Sequence, residues 1–326
     1  MSAAPSPALV PVQELTPLDP ALVLGQPEAS AALVALAREL RADGYNGGPS
    51  ESVLTPLAQG LPVDAAAVRS RVGDELWRAL IDTAVMYERD AEALLSTRLF
   101  PMRSLLTLLP AASDGDDIVY LGPDSILLLE VVWERGGVGR YAADLGTGNG
   151  FIAAALATRF DHVVAADLSF RCVATAHLAG VVNPHISTRL SGAQLDVAAG
   201  LRRGMFDVVT ANTPWVPETV GPDGGAPRLF AAGGATGFEL PRRFLDEAIE
   251  LLAPGGQAFI ACMDITFADG SRPVAEHVAE IAARGLEVEV VETRLQSEEG
   301  LPAWAAAKAP GAVDARHVVI IVRAAG

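Results

Sequence analysis

The amino-acid sequence predicts an α/β protein, a doubly wound and mostly parallel sheet with an antiparallel edge strand, preceded by a helical domain. Short apolar runs alternate with helical patterns from about residue 118 onward, the signature of βαβ units covered on both faces. A glycine-rich turn, Asp144-Leu145-Gly146-Thr147-Gly148-Asn149-Gly150, stands between a strand pattern and a helix pattern. A further strand-like run, Phe206 to Ala211, delivers Asn212 to the end of its strand, where such sheets bind ligands.

Taken in order, residues 1–27 are rich in Ala and Pro, lack a basic signal-peptide start, and read as a flexible tail. Residues 28–110 read as a small helical domain. Ala32, Leu33, Leu36, Ala37 and Leu40 form one stripe closed by Gly44, Asp74 to Tyr87 forms a second, and Asp90 to Leu99 begins a third. From residue 118 to 326 the pattern changes. Arg140–Leu145, His162–Asp167, Phe206–Ala211, Gln257–Cys262, Glu287–Glu292 and His317–Val322 read as strands. Gly150–Arg159, Arg171–Gly180, Leu240–Leu252 and Val274–Arg284 read as the intervening helices. This larger domain carries the chemistry, and the helical one is expected to cover the sheet edge and select the substrate.

Charge narrows the partners. The chain of 326 residues has 40 acidic and 24 basic residues, a net charge of −16, which is opposite to what phosphate neutralisation requires. Nucleic acid is therefore not expected as a partner, and no run of apolar residues is long enough for a membrane span. Cys172 and Cys262 are far apart, lack metal-ligand spacing, and read as buried residues of a cytoplasmic protein. No metal site is expected. His177 and His185 are not spaced as ligands, Trp77 and Trp133 read as core, and Glu298-Glu299 as a solvated acidic corner.

The glycines of the turn let the backbone bend sharply and let a ligand approach without interference from a Cβ, and the helix that follows directs its positive end at that ligand. Asp167 ends the next strand about twenty residues on, where a carboxylate can accept both hydroxyls of a ribose. Asp196, at the expected end of a third strand, could accept from an adenine amino group. A nicotinamide-binding turn occupies the same place in such folds, but its G-x-G-x-x-G pattern requires glycine where this chain has Phe151.

The segment Asn212-Thr213-Pro214-Trp215 resembles the reaction loop of the S-adenosylmethionine-dependent methyltransferases that carry Asn-Pro-Pro-Tyr, a Rossmann-like class I group that includes release-factor glutamine methyltransferases and nucleic-acid N-methyltransferases. The resemblance runs from Val119 to about Val322. It includes Val119-Tyr120, Pro123-Asp124-Ser125, the glycine turn, Asp167, and Ala232-Gly233-Gly234 with Gly237 and Arg242-Arg243-Phe244-Leu245. It implies S-adenosylmethionine as cofactor, touched by Ser125, Asp144, Gly146, Gly148 and Asp167, with Thr147, Asn149, Leu168, Asp196 and Asn212 as further candidates for binding it and Tyr120 a candidate for lining it or for packing. Phe151 is a further candidate for lining the cofactor, or for packing. The resemblance also implies that Asn212, Thr213, Pro214 and Trp215 form the catalytic loop, with Asn212 orienting the nucleophile.

Thr213 replaces the first proline of that loop and Trp215 its tyrosine. Thr213 still precedes a proline and is held extended, while Trp215 offers a wider aromatic face. The expectation is in-line methyl transfer to an N (or O) nucleophile of a small planar metabolite, as in natural-product biosynthesis. The Asn212 oxygen and the Thr213 carbonyl would accept hydrogen bonds from that nucleophile. The alternatives are a protein glutamine N-methyltransferase, a cyclase or other non-methylating user of S-adenosylmethionine, and an NAD(P)-dependent oxidoreductase.

Overall fold

The computed structural model describes residues 18–48, 50–110, 121–219, 228–293 and 308–325. Tyr120, Glu298 and Glu299 lie outside the described residues. The chain divides into two compact units, Met1–Gly115 with Val181–Asn183, and Asp116–Gly180 with Pro184–Gly326.

The first unit opens with α1 (Pro20–Gly25) and α2 (Pro27–Ala42), each with proline in its first turn, where the missing N–H has no helical partner to lose. Asp19 caps α1 through its side chain, so residues 20–27 are structured where the composition suggested a flexible tail. Leu33, Leu36, Ala37 and Leu40 form the buried stripe of α2. There follow α3 (Leu54–Ala58), β1 (Val63–Asp64), α4 (Ala65–Val72) and α5 (Asp74–Asp82).

The unit then departs from the helical expectation. β2 (Met86–Arg89), β3 (Glu92–Leu95), β4 (Thr97–Met102) and β5 (Leu105–Pro110) occupy the stretch in which Asp90–Leu99 was expected to be helical. Asp90 and Ala91 both take positive φ, 51° and 65°, the two-residue turn that joins β2 to β3. The Glu, Ala and Leu residues here favour a helix locally, but strand pairing across the unit overrides that preference.

The second unit begins with α6 (Pro123–Arg135) and continues β6 (Gly139–Leu145), α7 (Phe151–Leu156), β7 (Phe160–Asp167), α8 (Phe170–Val181), β8 (Leu190–Gln194) and β9 (Phe206–Asn212). After a short parallel pair, β10 (Val216–Pro217) with β11 (Ala232–Gly234), come α9 (Glu239–Leu251), β12 (Leu252–Phe267), α10 (Pro273–Ala283), β13 (Glu287–Glu292) and β14 (Ala312–Arg323). Seven strands form one sheet in the order β13-β14-β12-β9-β6-β7-β8, parallel except for β14, which runs antiparallel to both neighbours. This is the doubly wound, Rossmann-like sheet with an antiparallel strand that the sequence predicted.

The run Val318-Val319-Ile320-Ile321-Val322 is buried at every position, as a strand covered on both faces requires. On α9, Phe244, Leu245, Ala248 and Leu251 pack against the inner strands, which hold Val209, Ala211 and Ile260. Trp133 is half-buried rather than core, because the Arg159 guanidinium lies 3.9 Å above its ring and keeps that face polar.

Strand order reverses between β6 and β9, since the chain runs outward through β7 and β8 and then returns to the other side of β6. The register pairs Asp144 with Thr210 across β6 and β9, and Asn212 with Ala261 across β9 and β12. The glycine turn and Asn212 therefore leave neighbouring strands at one edge, the switch point at which such sheets bind ligands.

Candidate active site

A cavity of about 360 Å³ opens at this switch point, and every residue lining it belongs to the second unit. One wall is the glycine turn. Gly146, Gly148 and Gly150 have φ of 65°, 55° and 74°, which L side chains rarely adopt. Gly148 faces open space, whereas a Cβ on Gly150 would lie 2.4 Å from the Ala176 Cα of α8. One glycine thus leaves room for a ligand, and the other lets two helices meet.

Asp144 does not line the cavity. It is 1% exposed, and its carboxylate accepts from the hydroxyls of Thr147 and Thr210, each at 2.7 Å. Burial pushes its acid up to about 6, although the hydroxyl donors pull the other way. Its place is behind the turn, fixing Thr147, whose own N–H donates to the Ala166 carbonyl at 2.9 Å.

Asp167, at the end of β7, does line the cavity. Its oxygens accept from the Gly148 and Ser169 N–H groups, each at 2.9 Å. Burial raises its acid above the ordinary value, against those two donors. Thr147, Asn149 and Leu168 border the same space, and so does Phe151, itself 1% exposed. Asn149 spends its Oδ1 on the Phe151 N–H and leaves Nδ2 buried without a partner, a donor available to a bound anion. Asp196 is also in the lining, with Oδ1 already paired to Arg243 at 2.8 Å.

The opposite wall is the Asn-Thr-Pro-Trp loop. Asn212 Nδ2 donates to Ser125 Oγ at 2.9 Å and to Asp124 Oδ2 at 3.0 Å, while its Oδ1 is buried with no partner. Thr213, 3% exposed, donates through Oγ1 to the Ala261 carbonyl at 2.7 Å and so ties the loop to β12. Pro214 and Trp215 complete the wall, and the indole meets the His317 ring edge-on with centroids 6.2 Å apart.

Sequence reasoning missed several residues here. Asp124 was noticed only inside a motif, yet it is 5% exposed and bonded to Asn212. Arg228, Leu229 and Phe230 line the cavity from a stretch without periodicity, and His317 reaches the loop from the far end of the chain. Glu218, 7% exposed, fixes Arg228 through its backbone N–H and its guanidinium, and binds the Lys308 ammonium as well.

The donor and acceptor set suits S-adenosylmethionine. Gly148 leaves open space for a ligand, Asp167 can take hydroxyls, and the orphaned Asn149 amide can serve a carboxylate. Among the described residues no cluster of His, Cys, Asp and Glu could hold a metal ion, and no helix is long and apolar enough to cross a membrane.

Residues 121–266 match the family model described as methyltransferase small domain. A release factor glutamine methyltransferase from Bradyrhizobium diazoefficiens is 32% identical over 126 residues, 36% of this chain and 42% of that protein. The chain thus matches less than half the length of that curated relative. Among solved structures, TYW2 of M. jannaschii in complex with AdoMet is 14% identical with a TM-score of 0.46, covering 73% of this chain and 91% of that one. The E. cuniculi Mtq2–Trm112 complex, responsible for methylation of the eRF1 translation termination factor, is 20% identical with a TM-score of 0.42, covering 64% and 99%. Residues 121–266, less than half of the chain, are thus similar to the methyltransferase small domain, and the sheet has the Rossmann-like methyltransferase fold.

Proposed function

We propose that this protein transfers the methyl group of S-adenosylmethionine to a nitrogen atom of a planar group seated between Asn212 and Trp215. The observation that carries the reading is the Asn212 side chain. Its Nδ2 is held by Ser125 and Asp124, so its orientation is set, and its buried Oδ1 is left as an acceptor with nothing to accept from. A buried acceptor without a partner costs roughly 1–3 kcal/mol, which an N–H of the substrate would recover. Such a bond aims the nitrogen lone pair, and in-line positioning is the main requirement at a methyl already activated by a sulfonium. Trp215 supplies the face for a planar group.

A small planar metabolite, as in natural-product biosynthesis, fits the cavity and the wide Trp215 face. The second reading is a glutamine amide of a protein, favoured by the similarity to the release factor glutamine methyltransferase. A cyclase would need no external acceptor. Phe151 at the first position of α7 disfavours a nicotinamide turn, which needs glycine there. We place the activity in the cytoplasm, in keeping with Cys172 and Cys262, both buried and neither in a disulfide.

Transfer of labelled methyl from S-adenosylmethionine tests the proposal, with a translation release factor and a low-molecular-weight metabolite extract as parallel acceptors. Label in either fraction, lost in Asn212→Ala, supports it and chooses between the acceptors. Label in neither, from protein that binds the cofactor, contradicts it.

A further inference from the structure

A cavity for S-adenosylmethionine has to meet three polar parts of the ligand: the adenine, the ribose hydroxyls, and an amino-acid end with one carboxylate and one ammonium. The ammonium calls for a carboxylate oxygen that no protein donor occupies. Among the described residues three acids line the cavity, Asp124, Asp167 and Asp196. Asp167 accepts from the Gly148 and Ser169 N–H groups, and Asp196 is paired to Arg243 at 2.8 Å. Asp144, the acid of the glycine turn, is outside the lining, with Oδ2 on the Thr147 hydroxyl and Oδ1 on that of Thr210.

Asp124 differs from all of these. It sits in the first turn of α6 and is 5% exposed, yet it borders the cavity. Its Oδ2 accepts from Asn212 Nδ2 at 3.0 Å, and its Oδ1 is buried with no partner. A carboxylate oxygen in that state has lost its water and gained no donor in exchange, which is unfavourable until a cation or N–H arrives. Among the described residues the one cation lining the cavity is Arg228, whose Nε and Nη2 are committed to Glu218. The donor for Asp124 therefore comes from the ligand. Beyond Asn212, the orphaned side-chain atoms of the lining are one donor, Asn149 Nδ2, and one charged acceptor, Asp124 Oδ1. These are the complements of a carboxylate and an ammonium.

We propose that Asp124 binds the methionine ammonium of S-adenosylmethionine, an inference that rests on the cofactor of the function proposed above and not on its methyl acceptor. Oδ1 takes the ammonium while Oδ2 keeps the Asn212 amide. One carboxylate thus joins the cofactor to the residue that orients the acceptor. A nucleoside thioether without the ammonium leaves Oδ1 uncompensated, so Asp124 makes the site selective for the amino-acid end of its cofactor.

The test is calorimetric titration of full-length wild type and Asp124→Asn with two ligands, S-adenosylhomocysteine and its desamino analogue, in which hydrogen replaces the amino group. The variant keeps a carbonyl oxygen for Asn212 and presents no charge to the ammonium. Wild type is expected to prefer S-adenosylhomocysteine by about tenfold to a hundredfold, a preference that falls to about threefold or less in Asp124→Asn. The analogue is expected to bind both proteins alike, which also shows that the variant is folded. Asp124→Ser, a second uncharged variant, is expected to lose the same preference. A preference that survives in the variants, no preference in wild type, or an equal loss of affinity for both ligands overturns the assignment of Asp124. Failure of wild type to bind either ligand contradicts the cofactor reading itself, and this inference with it.

Discussion

Ser125 clamps Asn212: the asparagine Nδ2 donates to the serine Oγ at 2.9 Å, while Oδ1 stays buried and unpartnered. Two elements distant in sequence, the first turn of α6 and the end of β9, thereby fix the orientation of one amide. Without Asn212 the acceptor loses its aim but the glycine wall and Asp167 remain. Asn212→Ala is expected to lower methyl transfer by about 100-fold or more while the Kd for S-adenosylmethionine stays within about threefold. Single-turnover kinetics beside calorimetry check this. Unchanged turnover removes Asn212 from its role.

The second prediction concerns pH. The folded-state acid of Asp144 is raised from 3.8 to about 6 by burial. Between those values the native protein holds a proton that the unfolded chain has lost, so stability falls as pH rises from about 3.8 to about 6 and levels off above it. At pH 7 to 8 this burden is up to about 3 kcal/mol. Asp144→Asn is expected to flatten that dependence and to raise the denaturant midpoint above pH 6. Parallel wild-type and variant curves from pH 5 to pH 8 would contradict it.

Glu218 behaves in the opposite sense. Its hydrogen bonds with Arg228, and then Lys308, hold its acid down to about 2 against an ordinary 4.5. The stability it contributes is present above pH 4.5 and is lost as pH falls through about 2. Glu218→Gln is expected to cost roughly 1–3 kcal/mol at neutral pH, and less in acid, as read by denaturant unfolding at pH 7 and pH 3.

Gly150 combines a φ of 74° with the close approach to Ala176. Gly150→Ala is expected to destabilise the protein by about 2–4 kcal/mol through overpacking and backbone strain. Gly148→Ala meets open space, so it carries only the backbone strain of its positive φ, about 1–2 kcal/mol, and is expected to impair cofactor affinity as well. Thermal unfolding with and without S-adenosylmethionine separates the two effects.

The sheet was readable because its strands are marked twice, by buried aliphatic runs such as Val318–Val322 and by turn residues at their ends. The glycine turn, Asp167 and Asn212 were readable because strand ends place them at one edge whatever the loops do. Asp90–Leu99 was not, since Glu, Ala and Leu carry no local sign that strands will pair there. Asp124 and His317 were hidden for a different reason: each matters through a neighbour distant in the chain. A lone histidine in an apolar strand reads as core until Trp215 and Thr293 are found beside it. Asp144 differs in another way: its place in the motif gave no sign that it lies outside the cavity lining, bonded to two hydroxyls.

The most direct test of the central claim is calorimetric titration of the purified protein with S-adenosylmethionine, repeated on Asp167→Ala. Loss of charged hydrogen bonds worth roughly 1.5–3 kcal/mol predicts wild-type binding weakened about tenfold to a hundredfold in the variant. No heat of binding from folded, cofactor-free wild-type protein, or equal affinity in both proteins, would contradict the assignment of this cavity.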